Sequence, residues 1–196
     1  MTASYDYVTL TLEPGRKAWT DVTQHLRGIA GTSVLGLFQG QLGFSSNAAV
    51  VLLRAAPRDL VQGLARAPGV VALQAETLMP TVRPADGKML KSGGIYVHRW
   101  FTVDADRVDD FVALSNRAWE NFEGSFDTEI FGLFTAAPSA DDSRDGRLLL
   151  LTWYASHGVW EASRDQTRDP DGLFVKRHAL TRSTVGRSTL SVPLGS

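Results

Sequence analysis

The strongest constraint on this fold is that the chain reads as one pattern written twice. Tyr5 to Leu12 alternates polar and apolar residues with period two, as a half-buried strand does. Glu13-Pro14-Gly15 breaks the strand, and Pro14 suits the first turn of a helix. Trp19, Val22, Leu26 and Ile29 follow at helical spacing. Ser33 to Gln39 reads as a strand, and Ala48 to Arg54 as a strand apolar on both faces. Pro57 opens a short helix ending before Pro68-Gly69, and Val70 to Val82 is the last extended segment. The order is βαββαβ.

The second half repeats it. Ile95 to Thr102 is a strand, and Asp104 is placed to cap a helix whose face carries Val108, Phe111, Val112, Ser115, Trp119 and Phe122. Thr128 to Thr135 and Arg147 to Ala155 are strands, a broken helical region runs from His157 to Leu180, and Ser183 to Val192 closes the chain. Gly36-Leu37-Phe38 recurs as Gly132-Leu133-Phe134 in the third element of each half. The reading is a repeat over 1–83, a linker over 84–94 and a second repeat over 95–192.

A βαββαβ unit makes a four-stranded antiparallel sheet with both helices on one face. Strands such as Val50 to Leu53 and Leu148 to Leu151 are apolar on both sides, so the helix-free face must also be covered. At about 25 cal/mol per Å², a wet sheet face would cost as much as a whole domain's stability. The expected class is α+β, with antiparallel sheets packed face to face and helices outside. Alternation sends Val8, Leu10, Leu12, Arg99, Phe101 and Val103 toward the helices. It sends Tyr5, Tyr7, Thr9, Tyr96, His98 and Trp100 to the opposite face, a polar-tipped aromatic surface suited to lining a ligand. Trp153 and Tyr154 fall on opposite faces, so one reaches the space between the sheets.

Composition narrows the chemistry. There is no cysteine, which excludes disulfides, thiolate metal sites and cysteine nucleophiles. With 20 basic and 21 acidic residues there is no field to collect a phosphate backbone, so no nucleic-acid partner is expected. Lys176, Arg177, Arg182 and Arg187 read as a solvated helix face. No apolar run is long enough to cross a bilayer and no secretory signal opens the chain, so no membrane partner and a cytoplasmic location are expected. No nucleotide-binding, hydrolase-elbow or zinc-protease motif is present, and the four histidines lack metal-ligand spacing; no cofactor and no metal are expected. His98 is the candidate for proton transfer, being flanked on its face by Tyr96 and Trp100.

At this point a resemblance enters. A tandem βαββαβ chain resembles the ferredoxin-like dimeric α/β barrel superfamily, and the second half resembles the NIPSNAP family. The residues that carry the likeness are Tyr96-Val-His-Arg-Trp-Phe-Thr-Val103, Gly132-Leu-Phe134, Leu151-Thr-Trp153-Tyr154 and Arg168-Asp-Pro170, spanning roughly 95–192. The family often carries Glu where this chain has Val97. The resemblance adds Arg99 to the candidate site, although alternation sends it toward the helices. The substrate-binding candidates are therefore Tyr5, Tyr7, Tyr96, Arg99, Trp100 and Trp153, with a small apolar or aromatic molecule expected between the sheets. The alternatives are a non-enzymatic homo-oligomeric or partner-binding protein, a cofactor-free monooxygenase-type enzyme, or a haem protein. In haem-binding members of the superfamily a helix histidine is the axial ligand, which here would be His178. Homo-oligomerisation is expected in each case, because apolar sheet faces invite self-association.

Overall fold

A computed structural model describes residues 3–29, 33–137, 144–165, 169 and 171–194. Its strands are β1 (Tyr5–Leu12), β2 (Val34–Leu42), β3 (Ala48–Arg54), β4 (Val70–Pro80), β5 (Ile95–Asp104), β6 (Thr128–Ala136), β7 (Asp145–Tyr154) and β8 (Thr181–Val192). Its helices are α1 (Arg16–Ile29), α2 (Arg58–Leu64), α3 (Val108–Ser125), α4 (His157–Ala162) and α5 (Leu173–Ala179).

The class is α+β. The first four strands lie in the order β4-β1-β3-β2, and the second four in the corresponding order β6-β7-β5-β8. The two sheets do more than face each other. β2 pairs antiparallel with β8 through Leu37 and Val192, and β4 pairs with β6 through Leu78 and Ala136. The result is one closed eight-stranded barrel, which leaves no sheet edge unpaired. Eight strands give an interior just wide enough for side chains to fill.

Alternation distributes the core as the sequence pattern requires. The barrel interior holds Tyr5, Tyr7, Phe38, Val50, Leu52, Tyr96, Phe134, Leu149, Leu151 and Trp153. The outer face of the first sheet packs Val8, Leu10, Leu12, Val51 and Leu53 against Ala18, Val22 and Leu26 of α1 and Leu64 of α2. The outer face of the second packs Phe101, Val103, Leu148 and Leu150 against Phe111 and Trp119 of α3.

Local departures have local reasons. Asp104 does not cap α3: a single 3₁₀ turn, Ala105–Arg107, intervenes, and the Asp104 carboxylate accepts from Arg182 at 3.4 Å instead. The helical region before β8 splits into α4 and α5. Asp169 takes over the cap of α5, accepting from the N–H of Leu173 at 2.9 Å and of Phe174 at 2.8 Å. The basic group around Lys176 is not one solvated face. Arg177 packs on rings, Arg182 pairs with Asp145, and Arg187 lies over the Phe44 ring at 5.3 Å. Asp127 and Glu129 face lysines of the 84–94 segment, with Lys88 at 2.6 Å from Glu129.

Candidate functional site

The aromatic face read from the strands is inside the barrel and packed. His98 is fully buried. Its Nδ1 lies 3.0 Å from the Tyr7 hydroxyl and its Nε2 lies 2.9 Å from Thr189 Oγ1. Thr189 gives its one proton to the Tyr96 carbonyl at 3.4 Å. It must therefore accept from His98 Nε2–H, which leaves Nδ1 bare to accept from the Tyr7 O–H. Burial, aided by the nearby Arg187 charge, pulls the His98 pKa down to about 3. Burial likewise holds the Tyr7 phenol above its ordinary range. The ring is thus neutral and satisfied at both nitrogens.

Tyr96 and Trp153 use their polar tips at one end of the barrel. The Tyr96 hydroxyl donates to the Lys91 carbonyl and the Trp153 indole N–H to the Gly93 carbonyl, each at 2.8 Å. The Lys91 ammonium sits 3.5 Å from the Trp153 ring centroid. Tyr5 meets Phe134 edge-on at 5.0 Å. Trp100 is half-buried toward the other end, with the Arg147 guanidinium 5.1 Å from its ring and Arg147 paired to Glu76 at 2.6 Å. Five of the six substrate-binding candidates, and His98 with them, therefore point into the barrel.

The sixth does not. Arg99 projects from the outer face of β5, as alternation demands, into a cavity of about 490 Å³ between the second sheet and helices α3 and α5. The walls include Phe101, Trp119, Phe122, Phe126, Tyr154 and Phe174. Arg164, Val175 and Thr184, all exposed, border it, so the cavity is open to solvent. A cavity of this size, with rings and aliphatic side chains on its walls and charged groups converging on it, has the character of a small-molecule pocket. The open space thus lies behind the second sheet, while the space between the sheets at Tyr7, Tyr96 and His98 is occupied by side chains.

Three guanidiniums, those of Arg99, Arg164 and Arg177, reach this cavity, with Asp165 and Asp169 as its acids. Burial holds Arg99 and Arg177 below the ordinary arginine range; the Arg164 charge lowers Arg99 further, and the Arg99 and Arg164 charges lower Arg177. The Tyr154 phenol is buried and raised by desolvation, against the pull of Arg99 and a hydrogen bond to Ser163. His178 lines the cavity from the last turn of α5.

Reading the sequence alone missed Arg177, Arg164, Tyr154 and Trp119 as cavity residues. Arg177 was masked by its neighbours, since Lys-Arg-His at a short helix end looks like a solvated face. Tyr154 carried a signal: strand alternation puts it on the same side as Arg99, across the β5–β7 ladder. A second, more open depression of about 540 Å³ lies between Leu42, His157 and Trp160 and shares Arg164 with the first.

Among the described residues there is no group of three or more metal-ligating side chains, and no helix is long and apolar enough to cross a membrane. No family model matches the sequence, and no curated protein does. Solved structures do match. An anthrone oxidase-like protein aligns with a TM-score of 0.66 at 10% identity, over 98% of this chain and 92% of that one. A chlorite dismutase variant from Candidatus Nitrospira defluvii aligns at 0.62 and 10% identity, over 98% and 92%. A ferredoxin-fold protein from Listeria monocytogenes, related to antibiotic biosynthesis monooxygenases, aligns at 0.55 and 11% identity, over 98% and 96%. Likeness at such identity is likeness of fold: the chain has the ferredoxin-like α+β fold of the dimeric α/β barrel proteins.

Proposed function

We propose that the protein binds a small, largely apolar molecule in the cavity behind its second sheet. The observation that carries this reading is the cavity itself, about 490 Å³ of aromatic-walled space open to solvent beside Arg99 and Tyr154. The site moves from the space between the sheets to the helix side because a closed eight-stranded barrel fills its own interior. The occurrence of monooxygenase-related and oxidase-like proteins among the similar folds favours a substrate over a passive ligand. In this reading residues 95–192 form a NIPSNAP-like repeat that holds the site, and residues 1–83 form a sister repeat that closes the barrel through the 84–94 linker.

The test is a fluorescence titration with neutral phenylnaphthylamine, whose emission rises in apolar surroundings. Saturable one-site binding is expected, and it should be lost in Thr184→Trp, which places an indole at the exposed rim without touching the core. Equal binding by the blocked variant overturns the reading.

A second reading has one specific support: His178, the helix histidine that the superfamily resemblance points to, lies on the wall of this cavity. Its imidazole offers a nitrogen to a haem iron, and the ring walls offer apolar contact to a porphyrin. Haemin added to the protein would then give a Soret band that His178→Ala abolishes. No band removes this reading and leaves the first untouched.

A further inference from the structure

We infer that the ligand of the cavity is an aromatic anion, its acidic group held between the guanidiniums of Arg99 and Arg177 and its ring system packed among Trp119, Phe122 and Phe174. This rests on the cavity being the ligand site and adds the chemical class.

Charge bookkeeping around the cavity carries it. Arg99 leaves β5 beside Leu150 and lies over Gly186 of β8, its cross-strand partner, where no side chain competes for the space. Among the described residues it makes no ion pair and no hydrogen bond, and the charged side chain that acts on it most is another cation, Arg164. Arg177 lies 4.9 Å from the Phe174 ring centroid and 5.3 and 5.5 Å from those of Phe101 and Phe111. Rings stabilise the guanidinium face, but they leave the N–H donors along its edge unmet. The acid that acts on Arg177 is Asp169, and its carboxylate is committed to the backbone N–H groups at the start of α5.

Half-buried like charges turned toward one apolar space are costly unless something answers them. Arginine keeps its charge even when desolvated, so the answer cannot come from losing a proton. A carboxylate, sulfonate or phenolate does answer it. Planar guanidinium forks bind such oxygens with strong charge-assisted hydrogen bonds. Rings from Phe101, Trp119, Phe122 and Phe174 share the walls with the aliphatic Val97, Ile130 and Leu150, and stacking and edge contacts with those rings favour a flat aromatic body over a flexible aliphatic chain. Asp165 and Asp169 on the α4–α5 side would attract a cation, but they face three arginines, and Asp169 is already committed to backbone N–H groups, so the net preference is for an anion.

The experiment pairs two probes of similar shape, anionic anilinonaphthalene sulfonate and neutral phenylnaphthylamine, on the full chain. Circular dichroism and thermal unfolding check that each variant is folded. Wild type is expected to bind the sulfonate at least tenfold more tightly than the neutral amine. Arg99→Gln and Arg177→Gln should each weaken the sulfonate tenfold or more while moving the amine less than twofold. Arg99→Lys should recover part of the loss. Arg58→Gln, an exposed substitution on α2 that changes net charge equally, should do nothing. Should the neutral amine bind as tightly as the sulfonate, or the sulfonate ignore both glutamine variants, the anion inference is overturned while the cavity reading stands. Neither probe binding overturns both.

Discussion

Gly132 of β6 and Pro84 of the 84–94 segment touch so closely that a β-carbon at 132 would lie 2.7 Å from the Pro84 Cδ. The same carbon would meet the Phe134 ring at 2.8 Å. At the matching place in the first half, a β-carbon at Gly36 would lie 2.5 Å from Leu90 Cδ1 and 3.2 Å from the Phe38 ring. Each Gly-Leu-Phe thus lets its own phenylalanine fold back over the strand and lets the 84–94 segment lie on it. In both halves the strand pairing also shifts register at the glycine, between Val34 and Gly36 and between Ile130 and Gly132. Gly132→Ala is expected to cost about 2–3 kcal/mol in denaturant unfolding, since proline and a packed ring cannot step aside. Gly36→Ala should cost less, because the tip of Leu90 can rotate. Equal, negligible costs would show that neither contact matters.

The buried His98 makes stability depend on acid. Its pKa in the folded protein is about 3 against an ordinary 6.5, so below pH 6.5 the unfolded chain binds a proton that the folded one refuses. Stability from this group is complete above pH 6.5 and falls by about 1.4 kcal/mol per pH unit as pH drops toward 3. His98→Gln keeps a donor and an acceptor but cannot titrate. The wild-type-minus-variant stability should therefore shrink steadily between pH 6.5 and 4 in parallel urea titrations. A constant difference would mean that the ring is protonated in the fold.

Ser115, fully buried on α3, has a hydroxyl with no hydrogen-bond partner among the described residues. An unmet buried hydroxyl costs about 1–3 kcal/mol, and alanine is the better helix former. Ser115→Ala should raise stability by about 1 kcal/mol. Loss of stability would point to a partner for the hydroxyl.

Arg99→Met replaces a half-buried, unanswered cation with an apolar chain of similar length. It should stabilise the ligand-free protein by about 1 kcal/mol while abolishing the preference for an anionic probe. A drop in Tm with anion binding intact would assign Arg99 to the scaffold.

Tyr96 separates the interior from the cavity. Tyr96→Phe removes the bond to the Lys91 carbonyl and should cost about 1 kcal/mol of stability. Affinity for either naphthalene probe should not change, because Tyr96 lies on the opposite face of β5 from Arg99. A large loss of affinity would return the ligand to the space between the sheets.

How much of this could be read in advance follows from the kind of information each feature carries. Alternation along Tyr5 to Leu12 and Ile95 to Thr102 assigned every side chain to a face, and the helix stripe through Val22 and Leu26 named its partner surface. Such signals are local, a few residues long, and survive in a single sequence. The cavity was not local. It is formed by Arg99 of β5, Tyr154 of β7, Trp119 of α3 and Arg177 of α5, four positions that meet only after the chain has closed on itself. The Tyr7–His98–Thr189 chain likewise joins three strands, with Tyr7 and Thr189 each 91 residues from His98.

The amino-acid order by itself determined the repeated βαββαβ pattern, the two faces of each strand and the absence of any thiol chemistry, because periodicity and composition are properties of the chain. Tertiary structure decided that the sheets zip edge to edge into a barrel, that the polar-tipped aromatics fill it, and that the open space lies behind the second sheet. Those outcomes depend on how volumes and unpaired edges are satisfied in three dimensions, and no stretch of neighbouring residues encodes that.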